Sequence, residues 1–165
     1  MIDFPLAPNF SFYELTNSAK HPTLVAKNRL YVMAAPKADL IPSRLVTLVA
    51  LAAMLQRVRD GFNRALVVHS GARCPDLNAA VGGRPDSQHL LCQAADFHVD
   101  GVPLQEVYDW IVHSDLRYGQ CLLEGVTGAP PSWIHLSLGE PWRALDRSRE
   151  HMQIDATTNR RVSPG

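Results

Sequence analysis

Three side chains that can hold a metal constrain this chain more than any other feature. His89 and Asp96 lie seven residues apart in S-Q-H-L-L-C-Q-A-A-D, and His135 lies far downstream in the apolar run W-I-H-L-S. Zinc accepts imidazole nitrogen and carboxylate oxygen, and a hydrolytic zinc needs only three protein ligands, which leaves a fourth position for water. For the first two residues to meet, the chain between them must turn and enter the apolar strand expected at Ala94–Val99. The third ligand must then arrive from a distant strand. Each residue also has a plainer reading: a histidine inside an apolar run is more often a hydrogen-bonded core or surface residue than a ligand, and the H-x6-D spacing identifies little by itself.

The surrounding sequence adds to this. The stretch S-G-A-R-C-P-D-L-N-A-A-V-G-G-R-P-D-S-Q-H-L-L-C-Q-A-A-D, followed by W-I-H-L-S, resembles the zinc D-Ala-D-Ala carboxypeptidase family. That family includes bacterial wall carboxypeptidases, vancomycin-resistance D,D-dipeptidases and phage endolysins that cut peptidoglycan stem peptides. Its pattern is S-G-Y-R near an N-x-x-V-G-G turn, then S-x-H-x-x-G-x-A-x-D, then W-x-H, and the resemblance runs from about Phe10 to Leu138. It implies a zinc cofactor held by His89, Asp96 and His135, and a Hedgehog/D-Ala-D-Ala-peptidase-like α+β fold. It also implies that Arg73 binds substrate or stabilises a developing oxyanion, a task guanidinium geometry suits, and that Ser87 hydrogen-bonds near the substrate or the ligands. Two positions depart from the pattern. Ala72 stands for the usual tyrosine, and Cys92 for the glycine of H-x-x-G, where a cysteine would be strained if the backbone needs an unusual φ.

Composition narrows the function class. Sixteen basic and sixteen acidic residues balance to zero, which argues against a general nucleic-acid binder or an electrostatic membrane adhesin. Cys74, Cys92 and Cys121 are odd in number and irregularly spaced, so they indicate neither a disulfide scaffold nor a cysteine-rich zinc site, although one pair can still oxidise outside the cell. The amino-terminal M-I-D-F-P-L-A-P-N-F has no basic segment followed by a long apolar one, so no secretory signal is expected. No apolar stretch is long enough to span a membrane. On this reading the protein is made in the cytoplasm and reaches the cell wall after phage lysis or by virion delivery.

Local patterning gives the element order. Ser11 and Glu14 form a capping box opening a short helix. From Ser43 to Phe62 runs the longest helix, with Leu45, Leu48, Val49, Ala52, Leu55, Val58 and Phe62 on one face and Arg44, Gln56, Arg57 and Arg59 on the other. A strand at Ala65–Val68 leads into His69–Arg73, and Pro75 opens a short helix through Val81 that Gly82-Gly83 stops. Strand Ala94–Val99, a helix over Pro103–His113, and strands Tyr118–Leu123 and Trp133–Leu138 joined by a Gly125–Ser132 hairpin loop complete an α+β chain with a small, mainly antiparallel sheet. The expected organisation is one zinc peptidase domain over residues 1–154, acting as a monomer, and a flexible tail over 155–165.

Proton transfer to a leaving amine calls for a carboxylate or imidazole at hydrogen-bond distance, and Glu124 is the candidate. It ends a strand expected to pair with the one bearing His135; with the hairpin centred near Gly128, it falls opposite Ser132 or Trp133. The resemblance implies a catalytic acid or histidine shortly before the last ligand, but this chain has Ser132 and Trp133 there. Strand alternation sets Trp133, His135 and Ser137 on one face, so Trp133 is expected to wall the pocket. His98, two residues beyond Asp96, is an alternative ligand or a partner behind the ligands, while His21, His69, His113 and His151 are read as ordinary.

The leading expectation is therefore a zinc peptidase acting on peptidoglycan stem peptides as a carboxypeptidase or endolysin-type endopeptidase. In it Glu124 serves as general base and acid. The rivals are a non-catalytic cell-wall-binding or virion structural module that keeps the fold, and a cytoplasmic D,D-dipeptidase acting on free dipeptides.

Overall fold

The computed structural model describes residues 1–34, 43–125, 130–139, 150–155 and 160–162. The chain divides into two compact units, Met1–Arg57 with Ser70–Ala95, and Val58–His69 with Asp96–Gly165.

The first unit opens on strands β1 (Pro5–Ala7) and β2 (Phe10–Ser11), an antiparallel pair, and helix α1 (Phe12–Leu15). Ser11 caps the helix as expected, its Oγ accepting the Glu14 amide at 3.2 Å. A 3-10 turn at Pro22–Leu24 leads into α2 (Val25–Met33), a helix that no strong apolar periodicity announces. Helix α3 (Arg44–Phe62) begins here and passes into the second unit. Its Leu48, Ala52, Leu55 and Val58 are fully buried as the spacing requires, and truncating such a leucine to alanine costs about 2–5 kcal/mol.

Two positions on α3 differ from expectation. Val49 is exposed, with Leu51 and Met54 buried instead. Gln56, read as an outward residue, is buried because Asn9 satisfies its amide: Gln56 Oε1 accepts the Asn9 amide at 2.9 Å and Gln56 Nε2 donates to Asn9 Oδ1 at 3.0 Å.

Strand β3 (Leu66–Ser70) ends in the first unit and is followed by α4 (Pro75–Ala80). The N-x-x-V-G-G turn then has a local explanation. The Asn78 side chain folds back so that its Nδ2 donates to the Arg84 carbonyl at 2.8 Å, while the Asn78 backbone carbonyl accepts the Gly83 amide at 2.8 Å. Gly82 takes φ +71°, and a Cβ on Gly83 would lie 2.2 Å from Asn78 Oδ1. A 3-10 turn at Gln88–Leu91 precedes β4 (Ala94–Val99), whose bounds are those expected.

In the second unit α5 (Leu104–His113) buries Val107, Tyr108 and Ile111. Its Trp110 packs on Phe62, and a Cβ on Gly61 would meet the indole at 2.3 Å. Strands β5 (Gln120–Glu124) and β6 (Trp133–Ser137) form the antiparallel hairpin, with β5 starting two residues later than expected; residues 126–129 of its loop lie outside the described residues.

Strand β7 (Glu150–Asp155) pairs parallel with β5, and β8 (Arg160–Val162) pairs antiparallel with β7. The segment read as a tail thus contains the end of β7 and all of β8, its remainder lying outside the described residues. The larger sheet has the order β3-β4-β6-β5-β7-β8. Helices with small, mainly antiparallel sheets make this an α+β fold.

Candidate metal centre

The turn that carries His89 is built by its neighbours. Ser87 caps it, its Oγ accepting the His89 amide at 3.4 Å, and the His89 carbonyl accepts the Arg73 amide at 3.0 Å. At the end of the turn Cys92 adopts φ 59° and ψ 25°, left-handed backbone that glycine adopts freely and that costs an L side chain about 1–2 kcal/mol. This is the position where the resemblance has glycine, so the departure is carried as local strain and the turn still forms. The Cys92 side chain is fully buried, and burial pushes its thiol pKa up to about 12. It fills buried space in the turn. All three cysteines are free and buried.

His89 Nδ1 lies 2.7 Å from the Gly71 carbonyl oxygen. A carbonyl only accepts, so Nδ1 carries the proton and Nε2 presents the lone pair, the arrangement by which a second partner fixes a ligand's tautomer. Arg73 Nη2 sits 3.3 Å from that Nε2, while Arg73 Nε donates to Ser70 Oγ at 2.7 Å. Gly71 is needed for close approach: a Cβ there would be 2.3 Å from the Leu15 carbonyl oxygen.

The loop bearing Arg73 is pinned by a residue that the sequence reading passed over. Asn28, on α2 and fully buried, donates from Nδ2 to the carbonyls of Thr16 and Ala72, at 2.9 and 2.8 Å, and its Oδ1 accepts the Cys74 amide at 2.7 Å. Tyr31, one helical turn on, donates to the Leu90 carbonyl at 3.0 Å. Nothing local marks an asparagine inside a helix as such a strut; only the buried loop it faces does.

Asp96 on β4 and His135 on β6 belong to neighbouring strands of the sheet. Asp96 Oδ1 lies 2.8 Å from His135 Nδ1, and both side chains are buried. Across the hairpin Leu122 faces His135 and Glu124 faces Trp133, which resolves the two expected alternatives in favour of Trp133 and sets Glu124 on the same sheet face as His135. Diagonal positions of this kind are about 7–8 Å apart, within reach of a long side chain. Trp133 Nε1 donates to Glu124 Oε2 at 3.2 Å.

His98 takes a different partner from the one considered. Its Nδ1 lies 2.8 Å from His69 Nε2, with ring centroids 4.8 Å apart. His69, read as ordinary, is paired because β3 and β4 are sheet neighbours, which neither strand reveals alone. Burial, with His98 beside it, holds the His69 imidazole below its ordinary pKa, against an opposing pull from the Asp96 carboxylate.

His89, Asp96 and His135 each offer one donor atom, and these atoms lie within 4.8 Å of one another, the one such cluster found among the described residues. Two imidazoles and a carboxylate, with no thiolate, are the donor types of a catalytic zinc that keeps an open position. Among the described residues no helix is long and apolar enough to cross a membrane. A family model described as Peptidase M15 matches residues 10–137, nearly the span over which the sequence resemblance runs. Among curated proteins, none matches the chain.

Proposed function

The chain belongs to the peptidase M15 family, and from that premise we propose that it is a zinc-dependent peptidase hydrolysing peptide bonds of peptidoglycan stem peptides. The observation that carries this reading is the convergence of His89, Asp96 and His135, whose donor atoms lie within 4.8 Å of one another. These residues would hold the zinc, which when bound supplies a Lewis acid and lowers the pKa of a water.

The chain's own groups then divide the work. Glu124 takes a proton from the attacking water as the water oxygen bonds to the scissile carbonyl carbon. When the C–N bond breaks, the same carboxyl returns that proton to the leaving nitrogen. Arg73, held through its Nε on Ser70, meets the negative charge that develops on the carbonyl oxygen. Ser87 acts through the turn it caps, orienting His89. Trp133 walls the pocket and orients the Glu124 carboxylate through its indole N–H.

The rival reading is a wall-binding or virion module that keeps the fold without turnover. Cys92 adopts the left-handed conformation of a formed turn, so this departure does not count against the peptidase. The finer choice is an endolysin-type endopeptidase or D,D-carboxypeptidase acting on polymeric wall, in preference to a dipeptidase acting on free D-Ala-D-Ala.

Metal analysis of the purified chain, with mass spectrometry of digested sacculi beside a free D-Ala-D-Ala assay, tests both levels. Zinc together with new peptide termini in sacculi is the expected result. Zinc-loaded protein that releases nothing from sacculi and cleaves no dipeptide would leave the binding module as the answer.

A further inference from the structure

We propose that His69 and His98 form a second metal site, a two-imidazole chelate on the sheet surface for a divalent late transition-metal cation such as Ni2+ or Cu2+, separate from the His89, Asp96 and His135 cluster.

The spacing of the two donors is the first reason. His69 Nε2 and His98 Nδ1 are 2.8 Å apart. With metal–nitrogen bonds of about 2.0–2.1 Å, two ligands at a right angle have nitrogens about 2.9 Å apart, against about 3.3 Å at a tetrahedral angle. The pair therefore matches adjacent ligands of a tetragonal or octahedral ion better than two corners of a zinc tetrahedron. Imidazole suits nickel and copper, and copper tops the order of affinity for such donors.

Access and charge are the second. His69 is exposed and His98 half-buried, so water can fill the remaining positions. Two imidazole nitrogens at hydrogen-bond distance have room for one proton between them, so at least one presents a lone pair there. A cation in place of that proton lets both nitrogens donate electron pairs. Their positions on the neighbouring strands β3 and β4 hold the two side chains together before any metal arrives, which lowers the ordering cost of binding.

The test is equilibrium dialysis of the untagged, zinc-loaded full chain against Ni2+, with zinc and nickel counted separately. About one nickel per chain should bind beyond the zinc, and both His69→Gln and His98→Gln should weaken nickel binding by about tenfold or more with zinc content unchanged. Absence of nickel binding in the parent, or unaltered nickel binding in either variant, overturns the proposal. So does loss of zinc together with nickel, which would merge the two sites into one.

A readout that needs no variant guards against misfolding. Paramagnetic Ni2+ added below one equivalent should broaden the imidazole NMR signals of His69 and His98 before those of His21 and His113, and the reverse order overturns the site. A chain that holds no zinc would count against the peptidase reading while leaving the dependence of nickel on His69 and His98 readable.

Discussion

Trp133 donates its indole N–H to Glu124 Oε2 at 3.2 Å, across a register pair that sets the two residues directly opposite each other on β5 and β6. The bond restrains one carboxylate oxygen and so limits how the Glu124 side chain can turn on the face it shares with His135. Glu124→Gln keeps size and polarity but cannot take a proton. Turnover should fall by about 10²-fold or more with zinc content unchanged. Trp133→Phe, which keeps an aromatic wall but removes the donor, should cost less than Glu124→Gln. Near-normal turnover in Glu124→Gln would move the proton-transfer role to another residue.

The proposed metal ligands are tested by content before activity. His135→Ala and His89→Ala should each lose most of the zinc, and circular dichroism should still report a folded chain. Full zinc retention in both variants would remove these residues from the site.

Cys92 offers a test in which two effects oppose. Cys92→Gly relieves the left-handed strain, about 1–2 kcal/mol, but gives up a buried side chain and adds freedom to the unfolded chain. Unfolding free energy should stay within about 1 kcal/mol of the parent, with zinc content and turnover preserved. A marked fall in zinc affinity would mean that the thiol reaches the metal.

The cysteines also make a prediction about reactivity. All three thiols are buried, and burial pushes the Cys92 thiol up to about 12, so none is open to a reagent in the folded chain. A thiol-specific alkylating reagent should label none of Cys74, Cys92 and Cys121 in the native chain and all of them in denaturant. Native labelling of Cys92 would contradict its burial.

Asn28 carries a structural prediction. Asn28→Ala strands the Cys74 amide and the Thr16 and Ala72 carbonyls on either side of Arg73, and should cost about 2–4 kcal/mol in chemical denaturation. A loss below about 1 kcal/mol would show that water replaces these bonds at little cost.

Features that depend on neighbours along the chain were legible from residue order alone. Helix α3 begins one residue from its expected start and β4 has its expected bounds, because apolar spacing and Gly or Pro punctuation are local signals. The candidate donors were legible for a related reason: few side chains can bind metal, and these stand within a recognisable pattern.

Tertiary structure decided the partners. Whether Gln56 is solvated or buried rests on Asn9, 47 residues away. The role of Asn28 rests on a loop 44 residues on. His98 faces His69 because β3 lies beside β4, and β7 runs parallel to β5, because strand order is fixed by long-range pairing. A polar side chain in a sequence carries only its capacity to bond. Which partner meets that capacity is set by the segments folding places against it, since leaving it unmet in the interior costs more than most alternative packings gain.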